Sequence, residues 1–227
     1  MIARWRSWSS SVAVVMLLAG CAQSAVPVSG LPSARPAPAR SVNPANIARI
    51  TRDLPPGYEV ASAARISVPV TSWGLGLGAT ANPAHCLMLA KPDGLRDGSA
   101  RGVSGSGAGG IIYAVVVAAA SDSLVLDENL VDQCRQWIMG DGPTTASVSL
   151  VDSPHIEGVQ TLGMLSVVTA SVEGSAGTNC RAYTFVAYLD SYYAFSTLVT
   201  DPGSPQPPLT ADFADDLLVK MVSALRS

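Results

Sequence analysis

"CRAYTFVAYLDSYYAFSTLVT", residues 180 to 200, decides the fold. A run rich in aromatic and branched side chains ends at Leu189, only Asp190 and Ser191 intervene, and an equally apolar run follows from Tyr192 to Thr200. So short a link joins antiparallel neighbours, because a parallel crossover needs a dozen or more residues. Upstream, "LGMLSVVTASVE", residues 162 to 173, is a third such run, and the Gly-rich "GSAGTN" at 174 to 179 separates it from Cys180. Three runs with tight links predict an antiparallel meander.

Outward from the meander, "IIYAVVVAAA" at 111 to 120 is continuously apolar, too short for a confident helix and suited to a central strand. "TTASVSLVD" at 144 to 152 alternates in part, and "YEVASAARISVPV" at 58 to 70 follows a Pro-Pro-Gly turn and holds one or two short strands. "ANPAHCLMLA" reads as a short helix with Asn82 as cap and Pro83 in its first turn. "LDENLVDQCRQWIMG" reads as a second, with Leu130, Val131, Cys134, Trp137 and Ile138 on one face and Gly140 as its stop. The chain closes with "TADFADDLLVKMVSALRS", where Thr210 caps, Asp212, Asp215 and Asp216 favour the start, and Phe213, Leu217, Met221, Val222 and Leu225 line one face. The expected order is strand, helix, strand, helix, four strands and a last helix. That is an α+β class, an antiparallel sheet covered by helices, over residues 47–227.

The N-terminal segment is of another kind. Arg4 and Arg6 precede an unbroken apolar run from Val12 to Ala19, the layout of a signal peptide over residues 1–20. The run is far shorter than the roughly 20 residues a membrane-crossing helix needs. It ends in Leu18-Ala19-Gly20-Cys21, which is similar to the lipobox of bacterial lipoproteins, so Cys21 is expected to carry acyl chains and become the first mature residue. Each buried CH₂ contributes about 0.8 kcal/mol, and two chains hold a protein to a membrane durably. Residues 21–46 then form a lipidated cysteine and a Pro- and Ala-rich tether, extended at about 3.1 Å per residue where polyproline-like. The expected location is the extracytoplasmic face of the cell membrane.

Charge narrows the partners. The chain has 14 Lys and Arg against 17 Asp and Glu, and loss of Arg4 and Arg6 with the leader makes it more acidic still. No basic cluster remains for phosphate contacts, so nucleic acid is not an expected partner. With 48% apolar and 14% charged residues the chain has enough material for a core.

Three cysteines remain after Cys21, and an exported protein meets conditions in which thiols pair. A bridge between Cys86 and Cys134 would pin helix to helix and close a loop of about 49 residues, adding roughly 4 kcal/mol by the chain-entropy model. Cys180 is then left as a small apolar residue at a strand start.

Several chemistry-bearing patterns fail on context. "GSGAGG", residues 105 to 110, spells G-x-G-x-x-G, but a dinucleotide fingerprint follows a strand and opens a helix, whereas these glycines precede the strand at 111 to 120. A surface loop over residues 92–110 is expected instead. His85 and His155 are the only histidines, and no C-x-x-C, H-x-x-H or H-E-x-x-H spacing occurs, so neither zinc nor another cofactor is expected. A hydrolase would have to assemble a triad in three dimensions, for instance a serine with His155 and Asp152. Trp73 and Trp137 are the candidates for lining a ligand groove, with core packing as the competing reading.

The succession "NPAHC", "YAVVVAAA", a helix ending near "QCRQW", "TLG" and "NCRAYTFVAYLDSYYAFSTL" resembles the extracellular sensor domains of mycobacterial PknH-type receptor serine/threonine kinases. It resembles more closely the free-standing mycobacterial lipoproteins of unknown function built on a similar domain. The likeness covers about residues 55–226. It implies an α+β domain with a groove for an unidentified ligand and two disulfides, the first matching Cys86 with Cys134. The second would begin at Cys180, with its partner near Thr197 or Leu198, where this chain has no cysteine. No kinase domain is present, so signalling would need a separate partner.

The expected function is that of a non-enzymatic, lipid-anchored envelope protein that binds an unidentified ligand or protein partner. A carrier of a lipid or glycolipid in a deep apolar pocket is the second reading.

Overall fold

The computed structural model describes residues 41–121, 124–171, 178–200 and 204–227. The expected leader at 1–20, Cys21, most of the tether and most of the "GSAGTN" turn lie outside these residues. A 3₁₀ helix, Pro44–Asp53, opens the described chain; Asn43 caps it by accepting a hydrogen bond from the Ala45 N–H. Then follow β1 (Glu59–Ser62), α1 (Pro69–Ser72), β2 (Thr80–Asn82), a 3₁₀ turn (Ala84–Cys86), α2 (Leu87–Ala90), β3 (Arg101–Gly107) and β4 (Gly110–Ala118). The second half comprises α3 (Glu128–Gln133), β5 (Gln136–Asp141), β6 (Thr144–Val151), β7 (Gln160–Ala170), β8 (Thr178–Leu189), β9 (Tyr192–Thr200) and α4 (Ala211–Leu225).

The nine strands form one sheet in the order β1-β3-β4-β9-β8-β7-β6-β5-β2, and all neighbours are antiparallel. The expected meander is β7-β8-β9 at its centre. Asp190 and Ser191 form the β8–β9 turn, with Leu189 opposite Tyr192 and Asp190 at φ 52°. Because side chains alternate along a strand, β8 and β9 present one set to each face. Phe185, Ala187, Leu189, Ala194 and Leu198 face α4 and the 3₁₀ helix, while Ala182, Val186, Tyr193 and Phe195 face the opposite core with α1 and α2. Being buried on both sides, the central strands read as continuous apolar runs rather than alternating ones.

α4 covers one face as its sequence predicts, burying Leu217, Met221, Val222 and Leu225 together with Ala214 and Leu218. Thr210 stands at its N-cap, although its hydroxyl makes no capping bond. The helix end is tied to the chain start: the Asn43 N–H donates to the Leu225 carbonyl at 2.8 Å, and the Asn46 side-chain amide to the Ser227 carbonyl at 2.9 Å. The first described elements are thereby part of the domain.

Asp215 lies past the first turn, where the helix dipole no longer helps it, and partial burial, with Asp216 and Asp212 nearby, raises its pKa above the ordinary aspartate value. A raised carboxyl pKa means that the folded state holds its proton more tightly than the unfolded chain, so stability falls as pH rises through the carboxylate range. We expect Asp215→Asn to stabilise the protein by a few tenths of a kcal/mol at neutral pH, the scale of partly exposed charges. The gain should vanish below the unperturbed aspartate pKa of 3.8. Urea unfolding of both proteins at neutral and acidic pH checks this.

Three expectations are corrected. Residues 126–140 are not one helix: α3 stops at Gln133, and Gln136–Asp141 is the strand β5 between β2 and β6. Trp137 and Met139 are buried while Gln136 and Ile138 are exposed, a period of two that the helical spacing of Leu130, Cys134 and Trp137 concealed. Residues 92–110 are not all loop, since Arg101–Gly107 pairs with both β1 and β4. Helical cover is thin apart from α4: α1, α2 and α3 span four, four and six residues.

Candidate functional site

The fold places both groove candidates, Trp73 and Trp137, in the core, 2% and 3% exposed. Trp73 ends α1 and reaches across the sheet face, where its Nε1–H donates to Thr184 Oγ1 at 2.9 Å. Thr184 lies opposite Thr197 in the β8–β9 register, with hydroxyl oxygens 3.0 Å apart. Ser72 Oγ sits 3.1 Å from Thr197 Oγ1 and donates to the Pro69 carbonyl at 2.6 Å. This buried chain of side chains anchors α1 to the middle of the sheet. Trp137, facing inward opposite Val148, has no hydrogen-bond partner for its Nε1–H among the described residues.

Cys86 and Cys134 form the expected disulfide, with Cα atoms 5.5 Å apart and a sequence separation of 48. Both half-cystines are fully buried, and they join the 3₁₀ turn before α2 to the end of α3. The exposed His85 ring lies beside them, its nitrogen and the two sulfurs all within 4.8 Å, but the sulfurs are bonded to each other. Cys180 is half-buried on β8, across from Val168. His155 is exposed, and among the described residues neither histidine hydrogen-bonds to a serine or carboxylate; Ser153 Oγ instead lies 3.1 Å from Thr161 Oγ1.

Among the described residues, three cavities around the sheet concern the argument. One of about 370 Å³ lies between the β3–β4 turn and Cys180, Thr200 and Gln206. The glycines of "GSGAGG" shape this turn by packing: a Cβ on Gly107 would stand 2.5 Å from the Tyr58 ring, and Gly110 takes φ +129°. Another, of about 390 Å³, is bordered by His155, Gln160, Tyr188 and Asp190. Burial pushes the Tyr188 phenol far above its ordinary value, so it remains a neutral hydrogen-bonding group at physiological pH. The third, of about 260 Å³, has Val68 and Val117 among its lining and Lys91, Asp93, Arg96 and Asp97 around it. Sequence reading missed the third because its charges sit in a turn-rich stretch without any motif. It missed the Ser72-Thr197-Thr184-Trp73 chain because no spacing marks it; threonines at inward positions of otherwise apolar strands were the only signal.

With this geometry in view, comparison with known families finds a match over residues 43–226 to a domain of unknown function, DUF5642. The chain belongs to the DUF5642 family. The matched segment begins at Asn43, the cap of the first 3₁₀ helix, and reaches Arg226 at the end of α4, so the family unit includes the paired chain ends described above. No curated protein matches the chain. Among solved structures, the X-ray structure of an uncharacterized Mycobacterium smegmatis protein, the Rv0999 ortholog, is similar with a TM-score of 0.61 and 20% identity, covering 82% of this chain and 98% of that one. At that identity the likeness concerns the fold.

Proposed function

We propose that this DUF5642 protein is a lipid-anchored envelope protein, without catalytic activity, whose domain binds a ligand or partner on the extracytoplasmic face of the membrane. One observation carries this reading: Leu18-Ala19-Gly20-Cys21 at the end of an apolar run too short to cross a bilayer. A buried disulfide suits the oxidising compartment that such an address implies. The resemblance to PknH-type sensor domains supports a receptor-like role. The carrier reading asks for a deep pocket between helices and sheet; the cavities described above are bordered by turns and strand ends, and the anchored binding module accounts for them better.

The test is acylation at Cys21. Cys21→Ala is expected to lose the acyl mass and to shift the protein from the membrane fraction to the soluble one, since paired acyl chains are what this reading assigns the durable membrane hold to. Unchanged membrane retention, or a mature N-terminus without acyl mass in the unsubstituted protein, would overturn the proposal.

A further inference from the structure

The third cavity gathers charges of both signs that the protein itself leaves unused. Two ion pairs join described residues, Arg135 with Asp132 and Lys220 with Asp53. Neither involves Lys91, Asp93, Arg96 or Asp97, although all four border one space of about 260 Å³. Lys91 Nζ gives one hydrogen to the Leu77 carbonyl at 2.6 Å, and Arg96 Nη2 lies 3.5 Å from the Ala119 carbonyl. An ammonium has three donors and a guanidinium five, so most remain for an anion. The carboxylates of Asp93 and Asp97 accept no bond from another described residue.

The loop carrying these charges is fixed in place. Lys91 caps α2, its N–H donating to the Leu87 carbonyl at 2.8 Å. Leu95 bridges Ala119, the Arg96 N–H donates to the Ala118 carbonyl at 2.8 Å, and the Ala120 N–H to the Gly94 carbonyl at 2.6 Å. On the facing side, the Gly76 N–H bonded to Asp141 Oδ2 at 2.6 Å steadies the loop that places Leu77, 57% exposed, on the rim. A cavity on a fixed backbone, with Val68 and Val117 in its lining and two cations and two carboxylates around it, matches a small molecule that itself bears both signs.

We infer that this cavity binds a zwitterionic ligand of the amino-acid or short-peptide class, with its carboxylate on Lys91 and Arg96, its ammonium on Asp93 and Asp97, and small apolar groups over Val68 and Val117. The inference rests on the reading of the domain as a binding module and names the chemistry of what it binds. A ligand with one sign alone would forgo the charge-assisted contacts with the opposite pair, which is the source of the selectivity.

Calorimetric titration of the detergent-solubilised full chain with alanylalanine, with its N-acetyl form and with its C-terminal amide tests this. Saturable binding of the free dipeptide is expected, at least about tenfold weaker for either blocked form, because each has lost a charge-assisted contact. Lys91→Gln with Arg96→Gln should erase the preference for the free carboxylate, and Asp93→Asn with Asp97→Asn the preference for the free ammonium, with melting temperatures near that of the unsubstituted protein. No saturable heat from the free dipeptide, equal affinity for its blocked forms, or unchanged preferences in well-folded variants would overturn the assignment. These failures are separable from that of the anchoring: missing acyl mass at Cys21 would leave a measured dipeptide affinity standing, and an acylated protein indifferent to the dipeptide would lose only the cavity assignment.

Discussion

Replacing Cys86 and Cys134 together by alanine is expected to cost about 4 kcal/mol of unfolding free energy, the chain-entropy value for a closed loop of this size. In a domain of this length that corresponds to a fall in melting temperature of roughly 8–16 °C. The bridge matters because of where it lies. At one end of the sheet the order is β6-β5-β2, and β2 holds β5 through only three residues, Thr80–Asn82. Cys86 follows β2 by one short turn and Cys134 precedes β5 by a single residue, so the disulfide fastens the edge strand and its neighbour close to their pairing. Amide exchange in β2 and β5 should accordingly accelerate more in the variant than exchange in β8 and β9. A loss below about 1 kcal/mol in denaturant titrations, or acceleration spread evenly over the sheet, would show that the bridge does not have this role, since most substitutions of no structural consequence fall within about 0.5 kcal/mol.

How far the sequence discloses this molecule depends on which interactions fix each segment. The meander was legible because Asp190 and Ser191 leave the chain only one connection, and α4 because its apolar positions recur at helical spacing. The Cys86–Cys134 bridge was legible because the leader-like start raises the expectation of an oxidising compartment, where thiols pair. β5 was not, since Leu130, Cys134 and Trp137 satisfy a helical period while Trp137 and Met139 satisfy a period of two, and only the partner strands β6 and β2 decide between them. β3 was hidden for another reason. Its sequence, "RGVSGSG", is poor in strand formers, and it forms because β1 and β4 pair on either side and because Tyr58 and Leu54 need the space that a side chain on Gly107 or Gly105 would fill. The charged cavity was equally hidden. Lys91, Asp93, Arg96 and Asp97 read as an ordinary solvated turn until Val68, Leu77 and Val117, distant in sequence, close the space around them.

Trp73→Phe is expected to destabilise the protein by about 3 kcal/mol, and Trp137→Phe by about 1–2 kcal/mol, although the two indoles are almost equally buried. Both substitutions remove the same ring volume from the same core, so the cavity contribution is shared. What differs is the N–H. Trp73 donates to Thr184 Oγ1 inside a network with Thr197 and Ser72, and phenylalanine leaves that threonine oxygen buried without its donor. Trp137 has no such partner among the described residues, so phenylalanine there also removes a buried polar atom whose desolvation went uncompensated. The same logic extends to a double substitution. Combining Trp73→Phe with Thr184→Val takes away donor and acceptor together, and a coupling energy of about 1 kcal/mol should appear as a loss smaller than the sum of the single losses. Equal costs for the two tryptophans, or strict additivity of the pair, would mean that the hydrogen-bonded chain through Thr184 contributes nothing beyond packing to holding α1 against the sheet.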